Sequence, residues 1–488
     1  MIMLSPLARG LLRSCGCAPI FAAAALAQCG HTWQAGLGGA GTGTNGAVAS
    51  FLRLPTGEVV AFGEFTSIEG VAANRVAVGG ANAWSPLGGG TNGNVVGGAV
   101  AENGDLVCVG TFTQAGGVAA NQVARWDGVA WSALGAGVDG SLVCAAALPN
   151  GDVFVGGYLN GLGIPEVAHW SAGSWQRIPS PNWGLCMTVL PNGDFVVGGY
   201  SWVARWTGSG WAQLGTGVTG WVTELVVDGN GDLIAAGGLN MAGGTPVNGV
   251  ARWNGTGWLP MGTGVGGNLR GATRLPNGDP LLCGELWLNG IGPVNLARWD
   301  GVAWTGLGAP VTFGTTFDAE VLLDGALGVA TVQGFQAGSV TSSFFARLTA
   351  DCPATITALG AGCVGSAGPS QLAPSSLPWI DATYAALVSG CPPQSLGLSM
   401  FSKSTTALSL PQLLPEAGAG CTLWVPPDLS ALLVPTAGVA TTSFPVPAVG
   451  ALVGIVLHHQ VALLEFASAG GLTALTVTNA VSLTIGSF

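Results

Sequence analysis

One tryptophan recurs in matching contexts along the first two-thirds of the chain: Trp33, Trp84, Trp131, Trp175, Trp211, Trp258 and Trp304. The intervals are 51, 47, 44, 36, 47 and 46 residues. From Trp131 on, a second Trp stands five residues earlier, as in Trp126-Asp-Gly-Val-Ala-Trp131 and Trp253-Asn-Gly-Thr-Gly-Trp258. Asp-Gly and Asn-Gly favour the positive φ of a tight hairpin turn, and flanking aromatics pack across its two strands. Between these hairpins lies another, written Leu148-Pro-Asn-Gly-Asp152, Leu190-Pro-Asn-Gly-Asp194 and Leu275-Pro-Asn-Gly-Asp279, and more loosely Asp228-Gly-Asn-Gly-Asp232. An apolar strand leaves that turn and ends in Gly-Gly, as at Gly156-Gly157 and Gly198-Gly199.

Each unit therefore holds four strands. The first enters the Pro-Asn-Gly turn and the second leaves it. The third is the Val-Ala-Arg-Trp segment, and the fourth carries the recurring Trp. Four strands in about 45 residues fit a propeller blade; a β-solenoid coil is shorter and lacks paired hairpins. The last unit reaches Phe345-Ala-Arg-Leu348 without a fourth strand, and His31-Thr-Trp33 is a fourth strand with nothing before it. The expectation is an all-β protein: a seven-bladed β-propeller of four-stranded blades, its last blade closed by the N-terminal strand. A small β-sandwich follows, since residues 352–488 lack the hairpins and alternate short apolar runs with Pro and Gly clusters. The boundaries are 1–27 for a signal peptide, 28–351 for the propeller and 352–488 for the C-terminal domain.

The Gly-Gly after the second strand and the Trp of the fourth resemble kelch-like propellers. The Trp-Asp-Gly-x-x-Trp-x-x-Leu-Gly pattern is similar to repeats of the fungal cortical cell-polarity marker and related bacterial secreted repeat proteins. The resemblance covers about residues 30–350 and implies a fold, with little about activity. The first unit departs from it, with Val76-Ala-Val78-Gly where Val-Ala-Arg-Trp is expected.

Export is read from Arg9 and Arg13, the apolar stretch Ala18 to Leu26, and the small-x-small site Ala25-Leu26-Ala27. A secreted or cell-surface location follows, with disulfides permitted. The net charge is −11 and Lys403 is the only lysine, so nucleic acid is not an expected partner. No transmembrane span is expected. A composition with 83 Gly and 8% charged residues excludes a disordered, charge-solvated chain and suits many tight turns.

His31 and His169 are the only His of the repeat region, and His458-His459 would face opposite sides of a strand, so no metal or other cofactor is expected. Asp228-Gly-Asn-Gly-Asp232 starts like a calcium loop, but Leu233 replaces the required Gly, and a turn fits better. The repeated Arg125, Arg205, Arg252, Arg298 and Arg347 hold one position and read as structural ion pairs or backbone hydrogen bonds. First strands aligned on the turn place Ser50, Gly97, Cys144, Cys186, Glu224, Gly271 and Asp318 in one ring, with both Cys as free thiols. Together these point to a binding or surface-structural protein rather than an enzyme, the alternative being an extracellular carbohydrate-active lyase or hydrolase on the same scaffold.

Two further expectations name residues. Antiparallel register at the seam sets Leu348 opposite Trp33 and therefore Cys352 opposite Cys29, which predicts a Cys29–Cys352 disulfide; Cys363 with Cys421 is a weaker pairing. In a four-stranded blade, the tight turns lie at one face and the long loops at the other. Trp183, Trp202, Trp221 and Trp287 break the repeat on the loop face of three neighbouring blades, beside a shortened loop in the fourth. They are the expected carbohydrate or peptide site, with Glu224 and Glu285 as polar partners.

Overall fold

The computed structural model describes residues 31–487 apart from 37–42, 80–82, 102, 160–164, 310, 312–315, 323–324, 332–333, 338–339, 448, 450–451 and 468–470. The signal segment and Cys29 thus lie outside the described residues. The regular structure of the described residues is strand, apart from one 3-10 turn at Leu410–Gln412. Among the described residues, no helix is long and apolar enough to cross a membrane.

Seven antiparallel sheets follow one another, numbered here 1 to 7 in chain order: residues 48–86, 95–133, 140–179, 186–213, 218–260, 266–306, and 316–350 with 31–35. Each runs first to fourth strand without a crossover, and sheet 5 carries one extra short strand, Thr245–Pro246. The first strand of every sheet touches the first strands of its two neighbours, and sheet 7 touches sheet 1, so these strands form a ring. The fourth strand of sheet 7 is His31–Ala35, with Trp33 opposite Leu348 and His31 opposite Ala350, the register expected at the seam.

The repeat motif has a physical cause in the way adjacent sheets join. The indole N–H of six of the seven fourth-strand Trp, all but the buried Trp84, reaches toward the preceding sheet and donates to a backbone carbonyl. Trp131 bonds Leu87 at 3.0 Å, Trp175 bonds Leu134 at 2.8 Å, Trp258 bonds Leu214 at 2.9 Å and Trp304 bonds Met261 at 3.1 Å. Trp33 does the same with Ala309 at 3.0 Å, so the seam is built like the other junctions. The Gly after the acceptor Leu is required by space as well as by φ. At Gly215, φ is +57° and a Cβ would come within 2.8 Å of the Trp253 ring.

The repeated Arg and the turn Asp of one sheet pair with each other: Arg205 with Asp194 at 3.1 Å, Arg298 with Asp279 at 2.7 Å, and Arg125 with Asp105. His169 takes the Arg place, meeting Asp152 at 3.0 Å while stacking on Phe154. Asp228 accepts from the N–H groups of Asn230 and Asp232, which closes a turn.

Beyond residue 352, a six-stranded and a three-stranded antiparallel sheet share a core containing Leu372, Tyr384, Val388, Val461, Leu463 and Leu483. Cys363 and Cys421 are disulfide-bonded with Cα atoms 4.9 Å apart, and Cys391 is a buried free thiol. This unit docks on the turn side of sheet 7. Trp379 is fully buried there, against Gly325 and the cluster holding Leu327 and Val329. Tight turns alone were expected on that side; instead, Asp381 and Thr383 roof a cavity of about 1130 Å³ over the turns of sheets 5 and 6.

Candidate functional site

The loop side differs from sheet to sheet. In sheets 1, 2 and 7 the second and third strands are joined through a small two-stranded hairpin, and in sheet 5 by a similar extension. Sheet 4 has none: Gly199 passes to Trp202 through Tyr200 and Ser201, the latter at φ +56°.

Three of the four expected Trp reach the surface or its edge. Trp287 is 55% exposed, Trp221 is 46% exposed and Trp183 is half-buried. Trp202 must be removed from the set. It is only 4% exposed and packs edge-on against Trp211, ring centres 5.7 Å apart. The reason is visible in neighbouring sheets, where a glycine of the extension packs on the fourth-strand Trp, Gly116 on the Trp131 ring and Gly243 on the Trp258 Cβ. Lacking a hairpin, sheet 4 uses Trp202 as the cover.

Two tyrosines without a mark in the sequence analysis stand beside these Trp. Tyr158 and Tyr200 are each 46% exposed. Tyr158 of sheet 3 packs on Trp183 at the edge of sheet 4, ring centres 5.4 Å apart, and Tyr200 of sheet 4 packs on Trp221 of sheet 5 at 4.7 Å. The signal was present: both follow the Gly-Gly that ends the second strand, where sheet 5 has only Gly238. Asn182 supports the row, donating to the Tyr200 carbonyl and accepting from the Trp183 N–H. In sheet 6, Glu285 and Trp287 are both exposed, two apart on one strand and thus on one side of it.

Glu224 does not belong with these indoles. It stands three residues past Trp221 on Val218–Val227 and occupies the central ring position, opposite Ala236. Surrounding protein holds its carboxyl well above the usual range, with the nearby Asp318 charge adding to the shift. The expected ring does form, with equivalent register partners for Ser50, Gly97, Cys144, Cys186, Gly271 and Asp318. Cys144 and Cys186 are free thiols there, as is Cys283 on the second strand of sheet 6.

Asp318 has a structural task. Its two oxygens accept from the N–H groups of Phe51 in sheet 1 and Ala319, each at 2.8 Å, while burial lifts its pKa to about 7. Glu320 accepts from the Thr273 hydroxyl of sheet 6 at 3.2 Å. The acids of sheet 7 thus bond the first strands on either side, which is where the ring closes. A different group resembles catalytic machinery: Ser399, His459 and Tyr384 are hydrogen-bonded in a row at 2.9 and 3.1 Å. All three are fully buried, and burial holds His459 neutral with a pKa of about 3, so the row is a core network without substrate access. Its neighbour His458 points the other way, to Ser482. Among the described residues, no group of three His, Cys, Asp or Glu is placed to hold a metal ion.

No known protein family matches the chain, and no curated protein matches it. Solved structures with a similar backbone course are β-propeller proteins and extracellular domains. A streptogramin B lyase is 13% identical, covering 66% of this chain and 98% of its own, with a TM-score of 0.43. The WD40 β-propeller domain of Doa1 is 14% identical, covering 66% and 96%, with a TM-score of 0.42. The extracellular domain of a hybrid two-component system from B. thetaiotaomicron is 9% identical, covering 91% and 55%, with a TM-score of 0.40.

Proposed function

We propose that the chain is an exported, non-catalytic binding protein: a seven-bladed kelch-like propeller closed by its N-terminal strand and followed by a β-sandwich. Its loop face takes a carbohydrate or peptide ligand. The observation that carries this reading is a set of surface aromatics over sheets 3 to 6: exposed Tyr158, Tyr200, Trp221 and Trp287, with half-buried Trp183 packed on Tyr158. Isolated exposed apolar side chains are ordinary, but two adjacent Tyr–Trp pairs with a further exposed Trp on the next sheet suit stacking on ligand rings. The opposite side is partly occupied by the C-terminal unit, which leaves the loop face as the open one.

The rival reading, a carbohydrate-active enzyme, would draw on Glu224 and Asp318, whose raised pKa values are of the kind acid–base catalysis uses. Asp318 is spent on backbone N–H groups, and Glu224 has no aromatic platform beside it. A glycan and peptide array probed with the full chain and with Trp287→Ala tests the proposal. A ligand class that the wild type retains and Trp287→Ala loses supports it. Binding that is indifferent to Trp287 and Trp221 refutes it, and release of new reducing ends that Glu224→Gln abolishes would favour the enzyme.

A further inference from the structure

We propose that the two Tyr–Trp pairs are equivalent subsites for successive sugar rings of one linear, uncharged polysaccharide; this rests on the loop-face binding reading above. The equivalence is in the backbone. A Cβ on Gly157, Gly199, Gly237 or Gly284 would strike the carbonyl of Ser141, Trp183, Trp221 or Asn268 respectively, each at 2.1–2.3 Å. These four residues therefore hold the same position in sheets 3 to 6, and Trp183 and Trp221 are the same site one sheet apart. The residue after each of those glycines is Tyr158, Tyr200, Gly238 or Glu285. Each tyrosine reaches across a junction to the Trp of the next sheet, so the pair is a property of the junction and occurs twice in succession.

At the third junction the same two positions are Gly238 and Asn268, and the aromatic surface resumes only at Trp287, beside Glu285. The row thus has a repeated aromatic part and a polar end. A repeated platform selects a repeated ligand. Consecutive flat rings of a sugar polymer meet that condition at every residue, whereas a peptide meets it only if its own side chains happen to repeat. The pairs carry tyrosine hydroxyls and indoles but no charge, and the protein's net charge of −11 repels polyanions. A neutral polymer follows.

The full chain is tested by affinity electrophoresis in gels containing hydroxyethyl cellulose, galactomannan or dextran, with alginate as the charged polymer. Calorimetry then uses oligosaccharides of increasing length cut from the retained polymer. Two linked subsites should bind a chain long enough to reach both about 10²-fold more tightly than a fragment filling one. Trp183→Ala and Trp221→Ala should each remove that gain by a similar factor, the double variant should show no retention, and Trp221→Phe, which keeps a ring, should retain most of it. Unchanged far-UV circular dichroism guards against misfolding.

Affinity that does not grow with chain length overturns the proposal, as does a loss confined to one of the two Trp. If Trp287→Ala still weakens binding in that case, the loop-face reading survives. Retention of alginate or of an arrayed peptide, lost in Trp221→Ala, likewise overturns the polysaccharide assignment alone. Ligand binding that none of these residues affects overturns both.

Discussion

Replacing Trp258 by Phe isolates the bond that joins one sheet to the next. The indole is buried, and its N–H donates to the Leu214 carbonyl at 2.9 Å. That carbonyl also accepts from Gly217 at 3.1 Å, so removing the indole does not strand it. The lost hydrogen bond should therefore cost a net value, about 0.5–1.5 kcal/mol, rather than a full desolvation penalty. The missing half of the indole removes buried apolar contact and leaves a small void, adding about 1–2 kcal/mol. The expected total is about 1.5–3.5 kcal/mol. Trp211 supplies the internal control: its N–H donates to the Pro179 carbonyl at 3.0 Å, but in a solvent-exposed contact. Trp211→Phe should cost about 1 kcal/mol or less, because water replaces the lost donor. Urea unfolding of both variants, followed by far-UV circular dichroism and compared at the midpoint of the same transition, measures the difference. Equal costs to within about 0.5 kcal/mol would refute the argument that these indoles act as buried inter-sheet ties.

Three more outcomes follow from the geometry. His459 has a folded pKa of about 3 against 6.5 when exposed, so the unfolded chain binds the extra proton between those values and stability falls as pH drops below 6.5. The slope approaches about 1.4 kcal/mol per pH unit, and His459→Gln should lessen the loss of melting temperature between pH 7 and pH 5; an unchanged loss would exclude His459 as its source. Glu224 has a raised folded pKa, so its ionisation is penalised in the native state and stability is lost as pH rises past its unfolded value. Glu224→Gln should accordingly raise the melting temperature at pH 8 and leave it nearly unchanged at pH 4, and equal effects at both would contradict that assignment. The Cys29–Cys352 bridge, whose first cysteine lies outside the described residues, should appear as a linked peptide pair in a non-reducing digest. It would close a loop of over 300 residues, and its reduction should cost about 4–5 kcal/mol, whereas a free Cys352 thiol would disprove it.

The architecture was legible because it is written in local, repeated chemistry. Asn-Gly and Asp-Gly turns set the hairpins, and the Trp interval set the number of units. The stray His31–Ala35 strand could pair only with the unfinished last unit, and so Trp33 sits opposite Leu348. Register propagates along a ladder, which is why the central ring from Ser50 to Asp318 could be aligned by counting. Of the two partners expected for the repeated Arg, four of the five take the turn Asp of their own sheet, because the same register brings the two positions together.

What counting could not supply was whatever depends on contacts between units. Trp202 broke the repeat just as Trp221 did, yet one covers a neighbouring indole and the other lies open. Only the loss of a hairpin in sheet 4 separates them. Tyr158 and Tyr200 looked like ordinary strand-end residues until the next sheet brought Trp183 and Trp221 against them. Glu224 and Trp221 are three residues apart on one strand, yet Trp221 packs on Tyr200 at the rim while Glu224, opposite Ala236, stands in the central ring. The C-terminal unit's seat on the turn side, through Trp379, had no sequence mark at all. Short-range turn and pairing preferences are enough to write the repeating four-stranded units into the chain. Which aromatics stay exposed was decided by packing between units, a sum over long-range contacts that no local pattern encodes.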